Sequence, residues 1–371
     1  MRLRGVEIEK AVRRMGLADT YKDRHWDRAV KVTDNAVQKA EPEWLERLLA
    51  ALLEVGEPTY PMRYGFEVAL RRLASAPGGA ERTARVRALA AEGRAWGGDL
   101  RYSLPEVAEW LACAQPAEHL LAVFDDAGAS DELAACLLQE TALRHDAASA
   151  AGFAGRLRDA GHPLANLPLR PVGAERHLGL PRHPGPAEPW RPPGEGAPEA
   201  PGAPGLDIGV AAVDWPDARQ ALSAYRNWPP GADALEAGLF RLDRPLAPAD
   251  FGASLLRLLP AASTGATTAG VRRATTVDVL RTLFGGAASG GAYGPRMHGA
   301  YARKASWESL AALADVQEAD PAAIERGADR CTWLFYGSDW HLRVVPPLDV
   351  GIATLRPDRR TVAVLAVTDS D

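Results

Sequence analysis

Apolar positions recur along this chain with two different periods, and the change from one to the other divides it. Leu45, Leu48, Leu49, Leu52 and Leu53 fall at i, i+3, i+4, i+7 and i+8, the stripe of an amphipathic helix. Pro42 stands in the first turn of that helix, Glu41 and Glu43 lie at its positive end, and Gly56 closes it. Similar units follow. Phe66, Ala69, Leu70 and Leu73 share a face that stops at Pro77-Gly78-Gly79, and Val86 and Leu89 mark a basic helix ending near Gly93. Pro105 and Pro116 open two more helices, the second ending at Gly128, and Ser130-Asp131 caps another that holds Leu133, Leu137 and Leu138. Short helices joined by short turns predict antiparallel pairs. The units show no clean period, so the expectation is an irregular helical-repeat array of HEAT-like shape, with a compact bundle as the alternative.

Near the C-terminus the period falls to two. From Thr361 to Thr368 the chain is β-branched or apolar on both faces, with Val362 and Val364 on one and Leu365 and Val367 on the other. Such a segment reads as a buried central strand. Asp349 to Leu355 is its expected hairpin partner across the turn Arg356-Pro357-Asp358-Arg359-Arg360. Thr332–Tyr336 and His341–Val345 read as two further strands. Ile208–Val213 and the weaker Leu239–Leu242 add strands upstream, and Ala249–Leu259, Thr276–Phe284, Ala302–Leu313 and Ala322–Arg330 read as helices. The fold class expected is therefore α+β. Twelve of the 29 prolines fall between Pro163 and Pro204, where neither a helix nor a central strand can persist. The predicted organisation is a helical-repeat-like domain over 1–161, a Pro/Gly-rich linker over 162–205 and an α+β domain over 206–371. Within the linker, the leucine-bearing half up to Leu180 is the part suited to drape over a surface.

Composition changes this picture little. Hydrophobic residues make up 47% and charged residues 25% of the 371, the ordinary globular range. A net charge of −5 argues against a general nucleic-acid binder. Cys113, Cys136 and Cys331 are too far apart for a zinc ribbon or a redox pair, and so sparse a set fits a reducing compartment. The N-terminal stretch lacks the apolar core of a secretory signal, and no apolar run reaches the roughly 18 residues of a membrane helix, so a cytoplasmic protein is expected.

Two constellations carry candidate chemistry. The first is the glycine-rich stretch Gly285–Gly294, followed by Arg296, His298 and a second Gly-Ala-Tyr, Gly299-Ala300-Tyr301, that opens a helix bearing Arg303. Glycines let backbone N–H groups approach a ligand, and a helix N-terminus favours anions. Gly291, Tyr293, Arg296, His298, Gly299, Tyr301 and Arg303 are the candidate anion-binding residues, although the spacing matches no nucleotide motif and a tightly packed loop is the simpler reading. The second is the acidic end of the hairpin. A turn centred on Asp358 places Asp349 opposite Val367, with Asp369 diagonal to it on the same face, Asp371 two residues on, and Asp339 and His341 in reach. Carboxylates so grouped can bind a hard metal or act as an acid–base pair, but a solvated strand end, or a set of partners for arginines such as Arg343, is the simpler reading, so no metal site or cofactor is expected.

The two Gly-Ala-Tyr boxes, the helix with Trp307, Ser309, Leu310, Ala311, Ala312 and Leu313, the run Asp349-Val350-Gly351-Ile352-Ala353, Arg356-Pro357, and the ending Ala363–Ala366 with Thr368–Asp371 resemble an uncharacterised family of actinomycete proteins, a domain of unknown function. The resemblance runs from the Gly-Ala-Tyr boxes to the C-terminus and implies no activity, cofactor or catalytic residue. The expectation is a non-enzymatic interaction protein, a helical scaffold with a partner module whose target is a protein of unknown identity. An immunity-like role is one form of it. The alternative is an enzyme or small-molecule binder with its site between the Gly-Ala-Tyr loop and the acidic hairpin end, so that Asp349 and Asp369 join the candidate residues.

Overall fold

The computed structural model describes residues 3–17, 37, 40–96, 102–128, 130–180, 198–228, 235–291, 294–341 and 349–369. The chain folds as two units, one of residues 1–162 with 181–186, the other of 163–180 with 187–371.

The first unit is helical among its described residues: α1 (Leu3–Met15), α2 (Pro42–Leu53), α3 (Tyr60–Ala74), α4 (Ala80–Ala95), α5 (Leu104–Ala114), α6 (Ala117–Leu121), α7 (Val123–Asp126), α8 (Glu132–Arg144) and α9 (Ala151–Asp159). The leucine stripe does what its spacing predicts, with Leu45, Leu48, Leu49 and Leu52 of α2 all buried. Ser103 caps α5 by accepting from the Glu106 N–H at 3.3 Å, and Asp131 caps α8 by accepting from the Ala134 N–H at 2.9 Å. The helix expected from Pro116 to Gly128 is instead two short ones meeting at Ala122. Every residue of α8 from Leu133 to Arg144 is buried. Its charged groups therefore pair internally: Arg144 Nη1 donates to Glu140 Oε2 one turn back, and both side chains are fully enclosed.

The second unit is α+β. Its six-stranded antiparallel sheet runs in the order β1-β2-β6-β5-β4-β3, with β1 Val210–Val213, β2 Leu235–Leu242, β3 Ala269–Ala274, β4 Thr332–Gly337, β5 Val350–Leu355 and β6 Thr361–Val367. The helices are α10 (Ala218–Ala221), α11 (Ala253–Leu256), α12 (Thr276–Ser289), α13 (His298–Ala314) and α14 (Pro321–Ala328). Strand β6 lies in the interior of the sheet, between β2 and β5, and all seven of its residues are buried. Val362, Val364 and Ala366 join Phe240, Leu334, Ala353 and Leu355 in one core with Phe251, Leu255 and Leu256 of the α11 region. Helix α13 lies against β6. Two expectations shrink: Ala249–Leu259 holds one 3₁₀ turn and the single turn of α11, and His341 sits in a bend while residues 342–348 lie outside the described residues.

The hairpin register differs by one from the expected one. Val350, not Asp349, pairs with Val367, because four residues, Pro357 to Arg360, separate the Arg356–Thr361 pair. Asp349 thus faces Thr368, whose hydroxyl donates to Asp349 Oδ1 at 2.5 Å. Asp358 organises the turn. Its carboxylate accepts from the N–H groups of Arg360 and Thr361 at 2.9 Å each, from the Thr361 hydroxyl at 2.7 Å and from Arg241 Nη1 at 2.9 Å. Arg359 takes φ 56°, the left-handed conformation that closes the loop. Partial burial pushes the Asp358 carboxyl up, but these bonds outweigh it and hold it below the ordinary carboxylate value. A depressed folded value contributes stability that is present above the unfolded value near pH ~3.9 and is lost as pH falls through the folded value. Asp358→Ala is expected to cost about 1 kcal/mol at neutral pH, kept small by solvent exposure, and the difference from wild type should vanish toward the acid end. Urea unfolding between pH 2.5 and 6 measures both.

Both described flanks of the proline-rich stretch belong to the second unit. Residues 198–200 lie along β3 as a short extra strand: Ala200 N–H donates to Val271 O at 2.9 Å, Arg273 N–H donates to Pro198 O at 3.2 Å, and Glu199 bridges Arg272. Residues 163–180 are tied to α13 through a side chain described next.

Candidate functional site

The glycine loop follows α12, which begins with a reciprocal cap between Thr275 and Asp278 and ends at Gly290 with φ 76°. Gly291 follows at φ 68°. Two successive left-handed residues turn the chain back sharply, a conformation glycine adopts without a Cβ penalty. A Cβ at Gly290 would meet the Gly294 carbonyl, and one at Gly291 would meet the Asp369 carboxylate and the Trp228 ring. The loop is therefore filled by the protein itself. Trp228 Nε1 donates to Gly286 O at 2.8 Å, and the Asn227 amide donates to Ala287 O at 3.3 Å and to Pro295 O.

The structure does bring one pair of sequence candidates together, Gly291 and Asp369. What they form is ill suited to an anion, since a carboxylate lies against the loop. Arg296 is exposed, His298 and Gly299 are buried in the first turn of α13, and Tyr301 is half-buried. His298 opens that helix at φ 55°. Tyr293 and Asp371 lie outside the described residues. Asp349 is taken by Thr368. Asp339 is exposed, while His341 is buried: its Nδ1 accepts from the Ser338 N–H at 3.2 Å and its ring stands edge-on to Tyr336 and Trp340.

Arg303 overturns its expected part. It is fully buried, not a surface cation awaiting a ligand. Its Nε and Nη2 each donate to Glu175 at 2.7 Å, Nη1 donates to Pro168 O at 2.7 Å, and Nη2 also donates to Arg170 O at 3.2 Å. Glu175 accepts in addition from Trp307 Nε1 at 2.7 Å and from the Val172 N–H at 2.9 Å. One buried carboxylate thus fastens 163–180 onto α13. Cys136 is buried and Cys113 and Cys331 are half-buried: burial pushes Cys113 and Cys136 up and takes Cys331 up to about 11, so none is poised as a thiolate. Among the described residues no group of three or more His, Cys, Asp or Glu is placed to hold a metal ion, and no helix is long and apolar enough to cross a membrane.

A cavity lies elsewhere in this unit. It has a volume of about 250 Å³, and Lys304, Trp307, Glu308, Ala311 and Ala312 line it at i, i+3, i+4, i+7 and i+8, a single stripe of α13. Its other lining comes from Val316 to Ala319 and Ile324, just beyond the end of α13, and from two places distant in sequence: Pro163, Asn166 and Leu167; and Asp217 and Gln220 of the α10 region. Alanines at 311 and 312 leave the space, and the Glu175–Arg303 fastening holds the 163–180 segment beside it. Lys304 Nζ pairs with Glu308 Oε1 at the cavity. The sequence does not mark this site, because Pro163, Asn166 and Leu167, and Asp217 and Gln220, reach it from far along the chain. A Lys–Glu pair on the same face as Trp307, in a helix otherwise buried nearly all round, was the available signal.

Residues 27–371 match the model of a family described as "Family of unknown function (DUF6183)". No curated protein and no solved structure matches the chain.

Proposed function

The chain belongs to this family of unknown function, and from that premise we propose that it acts by binding, with the cavity on α13 as its ligand site. The observation that carries the reading is the cavity itself: about 250 Å³, an apolar patch of Trp307, Ala311, Ala312 and Ile324, and polar side chains, Asn166, Gln220, Lys304 and Glu308 among them, over the rest of its lining. That combination is how small-molecule sites are built, and the volume, just below the usual range of roughly 300–1,000 Å³, suits a small metabolite. The alternative site at the Gly-Ala-Tyr loop has less support, because Asp369 occupies its mouth and Arg303 is spent on Glu175.

The test is a thermal-shift screen of small metabolites against wild type and Ala311→Leu, whose larger side chain enters the cavity. Compounds that raise the melting temperature of wild type by several degrees should have no effect on the variant. A screen in which every hit persists in Ala311→Leu would overturn the assignment of the site.

A second reading, a protein partner on the helical unit, is favoured by a separate observation. Ala84, Ala88, Ala91, Leu104 and Leu133 line an open depression of about 580 Å³ edged by the Arg87–Asp131 pair, whose Nε–Oδ2 distance is 2.6 Å. In that reading the irregular helical array, HEAT-like in its use if not in a sequence period, presents this face to another protein in the cytoplasm, the compartment that three free thiols fit. A stoichiometric partner that co-purifies with wild type and is lost from Ala88→Glu would support it. An unchanged complex would count against this surface.

A further inference from the structure

The side chains around the α13 cavity define its charge. Its lining holds three carboxylates, Asp217, Glu308 and Glu318, against one cation, Lys304. Lys304 is committed to Glu308. Arg356, near Asp217, is engaged by Asp315 at 3.2 Å and donates to Ala312 O at 2.9 Å and Leu313 O at 3.2 Å. The lining therefore carries surplus negative charge, beside the neutral polar Asn166, Gln220 and Gln317 and an apolar patch. Trp307 contributes an aromatic ring whose N–H is already donated to Glu175, which holds the ring in one orientation. Leu167, Val316, Ile324 and the two alanines complete a wall with no hydrogen-bonding side chain of its own.

We infer, resting on the reading of this cavity as a ligand site, that its ligand is a small organic cation: one protonated amine or comparable nitrogen on an apolar, ring-sized body. Such a molecule places its body among Trp307, Leu167, Ala311 and Ile324, where water is displaced from apolar surface. Its nitrogen meets the carboxylates at the edge. A tryptophan in the wall adds attraction for a cation that comes over the ring, and none for an anion. An anion would have to face three carboxylates and compete with Glu308 for Lys304, so the same arrangement discriminates against it.

Three compounds of nearly one shape separate the possibilities: 2-phenylethylamine, 2-phenylethanol and phenylacetate. Binding to the full chain is measured by calorimetry at neutral pH and low salt. The amine should bind at least about tenfold more tightly than the alcohol, with phenylacetate weakest. Glu308→Gln removes one carboxylate and frees Lys304, so it should weaken the amine about tenfold, leave the alcohol unchanged and strengthen phenylacetate. Ala311→Leu should abolish binding of all three. If that variant does not fold, the charge series on Glu308→Gln still decides. Alcohol and phenylacetate binding as tightly as the amine, with all three lost in Ala311→Leu, would leave the cavity a ligand site and overturn the cationic ligand. No binding by any of the three in wild type would overturn both.

Discussion

Glu175→Ala is expected to destabilise the second unit by about 3–5 kcal/mol, a large share of the stability of an ordinary domain. The change removes four hydrogen bonds at once and leaves the Arg303 guanidinium, fully buried, without its carboxylate partner, facing the carbonyls of Pro168 and Arg170. A charge so enclosed cannot recover its hydration without opening the structure. Arg303→Ala should cost a similar amount by stranding the carboxylate. Replacing both by methionine should cost much less than either single change, because no uncompensated charge remains. Urea unfolding followed by tryptophan fluorescence measures all three. The result separates two roles for Arg303, since a surface arginine replaced by alanine shifts stability by no more than about 0.5 kcal/mol. A small effect would mean that this pair does not fasten 163–180 to α13.

Val364→Asp should have the largest effect of all. Val364 is fully buried in β6, paired with Gly238 on one side and Ala353 on the other. Its side chain sits among Phe240, Leu334 and the leucines of the α11 region, with no cation in that core to receive a carboxylate. We expect a loss of more than about 4 kcal/mol, seen as insoluble protein or an unfolded second unit with the helical unit still giving its circular-dichroism signal. Val364→Ala, which only leaves a small cavity, should remain folded with a lower melting temperature. An aspartate variant that melts with wild type would place this strand outside the core.

What the amino-acid pattern discloses follows from how local its cause is. Strand β6 is legible because burial on both faces demands apolar residues at every position, and Val362 to Val367 supply them. Strand β3 is not, since it carries Arg272 and Arg273, and Gly270 takes φ 59° at the register shift between Ala269 and Arg272. Its pairing comes from β4 and from residues 198–200, neither of which marks the strand itself. The helix stripes are legible for the reason β6 is. The hairpin register is not legible, because an even and an odd loop both fit Pro357-Asp358, and only the geometry at Arg359 decides between them. At the candidate sites the reach of the evidence is shorter. Glu175 and Arg303 lie 128 residues apart, and nothing near either one names the other. A glycine loop reads the same whether it admits a ligand or, as Gly291 does, the protein's own Asp369 and Trp228.

The interior position of β6 also has a meaning in time. The ribosome delivers β6 after the other strands, yet it must enter between β2 and β5. Arg241 of β2 waits 120 residues for Thr361, which at roughly 5–20 residues per second is about 6–24 s of synthesis. Until then β2 presents an unpaired, largely apolar edge, joined by β5 only in the last few residues of the interval, and such an edge is the kind of template that recruits a neighbouring nascent chain. Exposure to misassembly is thus concentrated in one interval, before β6 is made, and arrest of translation within that interval leaves β2 with its sticky side open.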